Sequence, residues 1–460
     1  INADLETIDT LNGQISSVHN TSDQNADLFD KRDLTISKLA EKMEIDTYLQ
    51  DDGSLAVYTV EGRALVDSTP RILHYSAAGE IVPGAPISAL SIFRQDQIDP
   101  VTGDPFNPAV GVVLVSSGVR AELTPELQND AIPDADQQIV SKLGAGELQG
   151  LVEMRDEVFP ALTDQLQELS EGLRFALNAA HNDSVAWPQP SALSGTRTDL
   201  ASFAGATRGG TATLAVIDGS DGSTLHAFEI DIAAAVDETD LINQINTNLG
   251  AFGTAAIGAD GQLDITLATA GQGLAIAEGD SSIVVTDAAG RDRDYGFSHY
   301  FGLNDLMVTD GPRATDIAVN PVLAADPVRL GAAKLDVETP PLVATLGGPG
   351  DNRGAKGLAE VMNAEHAMIA RGQLPARTTD LGGYAAEIVA LTAMQASRAE
   401  EQARTDLALS DAVSFKADSV ASVNLDEEIA ALMTLQQAYS VAARLITTVD
   451  EMLETLVNAG

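Results

Sequence analysis

Hydrophobic positions recur with helical spacing near both ends of the chain and with strand spacing between them. Residues 1–20 predict a first amphipathic helix, and residues 25–43 predict a second one. Their apolar stripes are Leu5, Ile8, Leu11, Ile15 and Val18 in the first helix and Leu28, Arg32, Ile36, Leu39 and Met43 in the second. Together the two helices predict the start of an antiparallel rod.

The period changes to two after Asp46. Residues 47–67 alternate like three short strands, with turns at Asp52-Gly53 and Glu61-Gly62. β-type runs punctuated by prolines continue to about Gly146. We therefore predict a β-rich domain with long loops over 47–146.

Helical spacing returns over 147–186. Pro160 is expected either in the first turn of a new helix or at a kink in a longer one. The segment Trp187–Gly195 (WPQPSALSG) breaks the pattern and predicts a linker. The predicted apolar seam of this helical segment is Phe159, Leu162, Leu166, Leu169, Leu173, Ala176 and Ala180.

The segment 196–343 is predicted to be an inserted β-rich outer domain. Hairpins are expected around Gly219–Gly222 and at Asp260-Gly261, with a short helix between them at 237–249. A second linker is expected at Glu338–Asn352. Two linkers that flank one β-rich unit are typical of a domain inserted into a frame.

Residues 353–460 are helical again by pattern. A short helix is expected around Leu358–Ala370, an alanine-rich one at Tyr384–Ser410, and a terminal one at Val423–Gly460, with Asn424 or Asp426 as its N-cap. The terminal helix repeats apolar residues at steps of three and four, which is a heptad seam. Its positions are Leu432, Leu435, Tyr439, Ala442, Ile446, Val449, Leu453 and Leu456.

Such a seam requires a partner. The helix therefore belongs to the core of a bundle or forms an assembly surface, and pattern alone favours the core, because most amphipathic helices are core helices. Further apolar residues widen the stripe on one flank, namely Ile429, Met433, Leu445 and Met452.

The predicted fold class is α+β and multidomain. Both ends of the chain, as 1–46, 147–186 and 353–460, form a discontinuous helical rod. Two β-rich domains, 47–146 and 196–343, project from it.

Composition restricts the possible classes of function more than it restricts the possible folds. The chain has 68 Asp and Glu against 26 Lys and Arg, a net charge of -42, and no Lys between Lys142 and Lys334. Nucleic acid and anionic membranes are therefore poor partners, since binding them requires neutralised phosphates. Adaptation to solubility or a saline habitat explains the acidity more simply than an acidic functional surface. Hydrophobic content of 44% is typical of a globular chain.

Candidate chemistry is sparse. The chain has no Cys, which excludes disulfides and thiolate sites, and its longest apolar run, Ala109–Val119, is too short for a membrane span. Six dispersed His and three Asp pairs remain. The Asp pairs could serve as calcium ligands or glycosidase carboxylates. All of them lie in turns, however, where Asp is common for structural reasons. We predict no catalytic, cofactor or metal site. The pairs are Asp51 with Asp52, Asp218 with Asp221, and Asp292 with Asp294.

Four stretches, in order, resemble the FlgK family, the flagellar hook-associated proteins of the hook-filament junction. The most specific is the C-terminal run NLDEEIAALMTLQQAYSVAARLITTVDEMLETL from Asn424. The others are Asn25–Met43, with an Asp-Leu and Arg-Asp pattern, Gly146–His181, with its Asn-x-x-His end, and FSHYFGLNDL at Phe297–Leu306. The insertion is also similar to a small β-α-β module with an Ile-Asn pair, here Ile245-Asn246, found in flagellar axial proteins.

This resemblance implies a secreted, non-enzymatic structural protein of the extracellular bacterial flagellum that connects hook to filament by helix packing. The implied partners are the hook protein, the second hook-associated protein, further copies of the chain, and an export chaperone at the terminal helix. It also implies an N-terminal segment before Ile1 that pairs with that helix. The seam from Leu432 to Leu456 then becomes an assembly element.

Two other classes stay open on the residues alone. A secreted binding module, such as an adhesin or a phage-tail-like protein, would act through 196–343 and would not need the terminal helix. A carbohydrate hydrolase would need a pair of carboxylates that together act as acid and base, and the sequence shows no such constellation.

Overall fold

A computed structural model describes residues 1–18, 26–77, 86–115, 118–119, 143–287, 290–311, 315–339, 341–421 and 425–458. The chain divides into two compact units, Ile1–Ile388 and Val389–Gly460. We call them the first and the second unit and describe each by itself. The predicted α+β class is confirmed, with helices toward both ends of the chain and small sheets between them.

The helices are α1 (Asn2–Val18), α2 (Ala26–Lys42), α3 (Glu147–Glu153), α4 (Phe159–Asn182), α5 (Ser202–Gly205), α6 (Glu238–Leu249), α7 (Phe297–Phe301), α8 (Pro321–Ala325), α9 (Arg353–Val361), α10 (Leu381–Ala421) and α11 (Leu425–Asn458). The strands are β1 (Ile45–Leu49), β2 (Leu55–Thr59), β3 (Ala64–Val66), β4 (Arg71–His74), β5 (Pro86–Ile87), β6 (Leu90–Arg94), β7 (Val112–Val115), β8 (Gly118–Val119), β9 (Ala192–Ser194), β10 (Thr207–Gly209), β11 (Thr211–Asp218), β12 (Thr224–Asp231), β13 (Gly253–Ile257), β14 (Leu263–Leu267), β15 (Gln272–Ala277), β16 (Ser282–Thr286), β17 (Asp292–Tyr295), β18 (Met307–Thr309), β19 (Ile317–Val319), β20 (Leu335–Glu338), β21 (Val343–Leu346), β22 (His366–Met368) and β23 (Arg377–Thr379).

Helices α1 and α2 pack against each other and against the β-rich segment that follows them. Most stripe positions with described burial are buried, whereas Leu28 and Ile36 are half-buried, and the two helices share one core with strands β2 to β4, β6 and β7. The buried stripe positions are Leu5, Ile8, Leu11, Ile15, Arg32, Leu39 and Met43. Arg32 is buried in the stripe of α2 because its guanidinium donates to the Gly53 carbonyl in the β1–β2 turn, 2.9 Å away. The division between 1–46 and 47–146 stays a prediction, and the buried cluster spans both segments.

The predicted meander is confirmed as the antiparallel sheet β1-β2-β3. Its two turns contain Gly53 and Gly62, whose φ angles are 80° and 77°. Only glycine adopts this left-handed region without strain, so the sequence signal and the backbone agree. A second sheet, β4-β6-β7, follows and places Arg71 directly opposite Arg94.

Helices α3 and α4 run on through a π-helical turn, Met154–Val158, and Pro160 lies in the first turn of α4. The predicted apolar seam of this segment is only partly buried: Ala176 is buried, and most of the other positions are half-buried. Phe159 is 56% exposed and Leu166 is 42% exposed. The buried positions of α4 are mainly polar or small: Gln165, Glu168, Gly172, Ala176, Asn178, His181 and Asn182.

The middle of the chain folds around the largest apolar core of the first unit. Three small antiparallel sheets, β12-β11-β15, β13-β14-β9 and β10-β16-β17, enclose it together with α6 and α7. Both predicted hairpins and the predicted helix are present, with the β13–β14 turn at Gly261, whose φ is 83°. Local turn chemistry therefore predicts this region well.

Both predicted linkers are wrong, because each segment is part of a sheet or a core. Within Trp187–Gly195, strand β9 pairs with β14, and the carbonyl of Pro190 accepts from the amide of Leu274 at 2.8 Å. Within Glu338–Asn352, the hairpin β20–β21 packs on the β11 sheet and buries Ala344. Proline content identifies where the hydrophobic periodicity of the sequence stops. Whether the chain forms an ordered strand there depends on pairing with a distant strand.

The three helices predicted over 353–460 are present with shifted ends, and the hairpin β22–β23 lies between the first two of them. Helix α9 is shorter and earlier than predicted, and residues 366–368 are strand β22 instead of helix. Helix α10 begins in the first unit, where Leu381, Tyr384 and Ile388 are buried. The predicted N-cap residues of the terminal helix, Asn424 and Asp426, lie outside what the structure describes in side-chain detail.

Candidate assembly surface

The predicted heptad seam lies on α11, in the second unit. The chain is helical without interruption from Leu425 to Asn458, because the segment is rich in Leu, Ala, Glu, Gln and Met, which are strong helix formers. From Leu432 to Leu456 the seam extends about 36 Å at 1.5 Å per residue. Helical spacing brings all eight predicted residues to one side of the helix.

Every one of these eight side chains is exposed. The exposed fractions are 56% for Leu432, 70% for Leu435, 79% for Tyr439, 68% for Ile446, 46% for Val449, 55% for Leu453 and 74% for Leu456, and Ala442 is exposed as well. Within 389–416 and 429–456, where side-chain burial is described, the second unit has no buried residue. The seam is therefore not the core of a bundle within this unit.

A continuous apolar stripe of this length has a clear energetic consequence. Removing one large aliphatic side chain from water contributes about 1.5–3 kcal/mol. Large exposed apolar patches on proteins mark interaction surfaces, and a heptad repeat fits a second helix by knobs-into-holes packing. Where these residues lie is thus settled, whereas their role as an assembly interface stays a prediction.

The eight seam positions of α11 carry no charged side chain. Among the eight seam residues none is ionisable except Tyr439. Several hydroxyls on the rest of the helix bond to the carbonyl four residues earlier, as Thr434, Thr447 and Thr455 do. Such local bonds satisfy these three hydroxyls within the helix.

The three Asp pairs serve local structure where their contacts are described. Asp52 accepts from the amide and hydroxyl of Ser54, and Asp218 does the same for Ser220. Asp221 accepts from the Ser223 amide. Asp292 and Asp294 accept from Thr286 and Ser282 across the β16–β17 pair. In the described ranges no three His, Asp or Glu side chains are grouped to hold a metal ion.

The histidines are distributed over unrelated contacts, and His19 lies outside the described residues. His226 stacks on Phe252 with 5.0 Å between ring centroids. His299 is buried between the rings of Phe175 and Tyr295, each 4.8 Å away. Burial, followed by the charges of nearby arginines, lowers the pKa of His299 to about 3.

The structure joins two stretches that the sequence showed only separately. The C-terminal turns of α4 bind the chain that follows α7. Asn178 forms two hydrogen bonds to the backbone of Met307, at 2.8 and 2.9 Å. His181 donates from Nδ1 to the Asn304 carbonyl at 2.5 Å, and its Nε2 accepts from the Gly331 amide at 2.9 Å. These partners require the neutral ring, and burial lowers the pKa of His181.

Asn182 completes this contact. The residues that form it are Asn178, His181, Asn182, Ser298, Asn304 and Asp305. The Asn182 amide donates to Asp305, and its oxygen accepts from the Ser298 hydroxyl and the Asn304 amide. Asp305 also accepts from Thr196 at 2.6 Å, and burial raises the pKa of its carboxyl. A sequence signal existed, because the polar positions 178, 181 and 182 lie on one helix face.

The two residues of the Ile-Asn pair in α6 have different structural roles. Ile245 is fully buried in the core of the insertion. Asn246 forms two hydrogen bonds to the backbone of Ala255 in β13, at 2.7 and 2.8 Å. The pair thus fixes the helix to the sheet by one apolar and one polar contact.

Every helix in the described ranges is too short or too polar to cross a lipid bilayer.

Two family models match the ends of the chain. The model for the flagellar hook-associated protein FlgK helical domain matches residues 1–79. The model for the flagellar basal body rod FlgEFG protein C-terminal region matches residues 419–459, which include the seam. Among proteins of curated function, none matches the chain.

A solved structure is also similar, that of the flagellar hook junction protein FlgK from Burkholderia pseudomallei. The match has 18% sequence identity and a TM-score of 0.25, and it covers 67% of this chain and 49% of that one. The chain thus spans about half the length of the solved relative.

Proposed function

We propose that this chain is a member of the FlgK family of flagellar hook-associated proteins and a structural adaptor at the junction between flagellar hook and filament. The observation that carries the proposal is the exposed heptad face of α11, Leu432 to Leu456, within the segment that matches a flagellar C-terminal model. A helix of this pattern gains its stability by packing on another helix.

The proposed mechanism is mechanical. Copies of the chain assemble when the α11 face packs against helices of neighbouring subunits, which removes the eight seam residues from water. The β-rich parts between 47 and 343 project from the helical frame and pack laterally. Such an adaptor connects a flexible hook to a stiffer filament and has no enzymatic role.

The proposed partners are the hook protein, the second hook-associated protein and further copies of the chain. An export chaperone would bind the same α11 face before secretion, because that face is apolar and exposed. The proposed location is the extracellular flagellum. A secreted binding module acting through 196–343 has less support, since both matched models describe flagellar proteins.

The decisive variant is Ile446→Asp, with Thr447→Asp as its matched control. Both add one carboxylate to α11, but only Ile446 is on the seam. Burying an unpaired charge between helices is strongly unfavourable. In the source bacterium deleted for the full-length protein, complementation with Ile446→Asp should abolish swimming, and the control should swim.

A second strain carries the protein without the segment after Val423. If it builds hooks but sheds filament subunits into the medium, the junction role stands. Normal filaments in that strain, or normal swimming with Ile446→Asp, would rule out assembly through α11. Immunoblots of the secreted fraction separate failed assembly from failed export.

A further inference from the structure

A cavity of about 400 Å³ lies at the surface of the first unit, between the β2–β3 turn and the β4-β6-β7 sheet. Arg63 comes from the turn, Arg71 from β4 and Arg94 from β6, and all three line the cavity. Among the described residues that line it there is no carboxylate, although acidic residues outnumber basic ones 68 to 26 in the chain. Three arginines at one cavity are unexpected in so acidic a protein.

The backbone places two of these arginines in an unfavourable position. Arg71 and Arg94 are direct cross-strand partners, and like charges directly opposite each other destabilise a sheet. Arg94 is partly neutralised, because Asp96 accepts from its Nε and Nη2, both at 3.1 Å. For the side chains of Arg63 and Arg71, the described part of the chain offers no hydrogen-bond or ion-pair partner. An anion in the cavity would remove this repulsion.

The walls limit what kind of anion fits. Ile92, Phe93 and Val110 contribute apolar surface, and Gln97 adds an amide. Phe93 is only 3% exposed, and its ring lies so close to Gly111 that an added methyl group there would come within 2.4 Å of it. A water molecule takes about 30 Å³ in the liquid, and a single small anion would leave most of the cavity empty. A short peptide with carboxylate side chains fits its size, its apolar wall and the planar donor geometry of arginine.

We propose that this arginine cavity is a docking site for an acidic peptide segment, supplied by a neighbouring copy of the chain. Copies that each carry a net charge of -42 repel one another over most of their surface. The cationic cavity of one copy attracts an acidic segment of the next copy. This attraction sets the register in which the two copies contact each other laterally. The source of the peptide rests on the proposed function, whereas the capacity to bind carboxylates does not.

The first test is a titration of the full chain with fluorescein-labelled hexaglutamate, followed by fluorescence anisotropy. The double variant Arg63→Gln with Arg71→Gln should weaken binding by about tenfold or more at about 50 mM salt. Arg398→Gln removes the same charge from an exposed site on α10 and should leave the affinity unchanged. Equal affinity in all three proteins, or inorganic phosphate competing as well as the peptide does, would overturn the site.

Two further measurements test the proposal through thermal stability and self-association. Thermal melting should show that Arg71→Gln keeps or raises the Tm, because it removes the repulsion with Arg94. Sedimentation at high protein concentration should show that hexaglutamate reduces self-association, and an unchanged association would exclude a neighbouring copy as the source. The Ile446→Asp chain should still bind the peptide, so loss of the α11 role and loss of this site are distinguishable.

Discussion

At the scale of single residues, asparagine joins helices to strands in this protein. At four places in the described ranges, an Asn on a helix both donates to and accepts from the backbone of one strand residue, at 2.7 to 3.0 Å. The amide side chain suits this role because it carries a donor and an acceptor side by side. The four pairs are Asn2 with Leu73, Asn12 with Leu55, Asn178 with Met307 and Asn246 with Ala255.

Asn246 offers a clean test of this role. Asn246→Ala should destabilise the first unit by about 1–3 kcal/mol, because the amide and carbonyl of Ala255 lose their partner. Asn248→Ala is the matched control on the same helix, since its side chain bonds only to the Gln244 carbonyl one turn earlier. Urea unfolding of both variants checks this, and equal losses would contradict a special role for Asn246.

His299 makes stability depend on pH. Its pKa is about 3 in the folded chain, against an ordinary value of 6.5. Between these values the unfolded chain binds a proton that the folded chain does not, so stability contributed by the neutral ring is lost as the pH falls. His299→Phe keeps an aromatic ring and removes the titration.

As the pH falls from about 7 to about 4, the wild type should lose at most about 3 kcal/mol more than His299→Phe does. Urea unfolding at several pH values measures the difference between the two proteins, in which the common effects of the other groups cancel. A difference that stays constant with pH would refute the assignment.

At the scale of elements, α4 organises the first unit through a polar face. Glu168 is fully buried and accepts from the Arg291 guanidinium at 2.6 Å and from the Ile369 amide at 3.1 Å. One turn later Gly172 leaves room for Met368, which would lie 3.2 Å from an added methyl group. The helix therefore binds the insertion on one side and the β22–β23 hairpin on another through groups that must match individually.

Removing the buried carboxylate should be costly. Glu168→Ala leaves Arg291 without its closest partner and the Ile369 amide unpaired, and we expect a loss of about 3–5 kcal/mol. Glu360→Ala, at an exposed position on α9, should change stability by less than about 0.5 kcal/mol. Thermal and urea unfolding check both values, and a Glu168→Ala chain as stable as the control would disprove the role of this network.

At the scale of the whole molecule, charge is the dominant feature. The net charge of -42 means that acidic side chains repel one another on average, and the few cations are used locally. Arg291, for example, lies between Asp287, Glu168 and Glu171. In a segment without lysine, planar arginine can satisfy several carboxylates at once.

Stability should therefore rise with moderate salt. Between about 0.01 M and 0.15 M NaCl the Debye length falls from about 30 to 8 Å, which screens the average repulsion more than the short buried pairs. Scanning calorimetry should show an increasing Tm over this range. A constant or falling Tm would mean that local ion pairs outweigh the net repulsion. Binding of hexaglutamate should instead weaken over the same range.

Features that depend on neighbouring residues can be predicted from the amino-acid sequence. The stripes of α1, α2 and α11 follow from helical spacing, and the hairpins follow from Gly53, Gly62 and Gly261 at their turns. The family resemblance also lay in continuous stretches, two of which fall within the matched models. Local geometry restricts these choices strongly, so short windows of sequence were sufficient.

Which of those faces are covered depends on the tertiary fold. In the folded chain the polar side of α4 is buried in place of its leucines, because Asn178 bonds to a residue 129 positions away. The tertiary fold also pairs the segment after Trp187 with a distant strand, leaves the α11 seam exposed, and sets Arg71 opposite Arg94. Each of these depends on groups far apart in the chain, whose meeting no local period encodes.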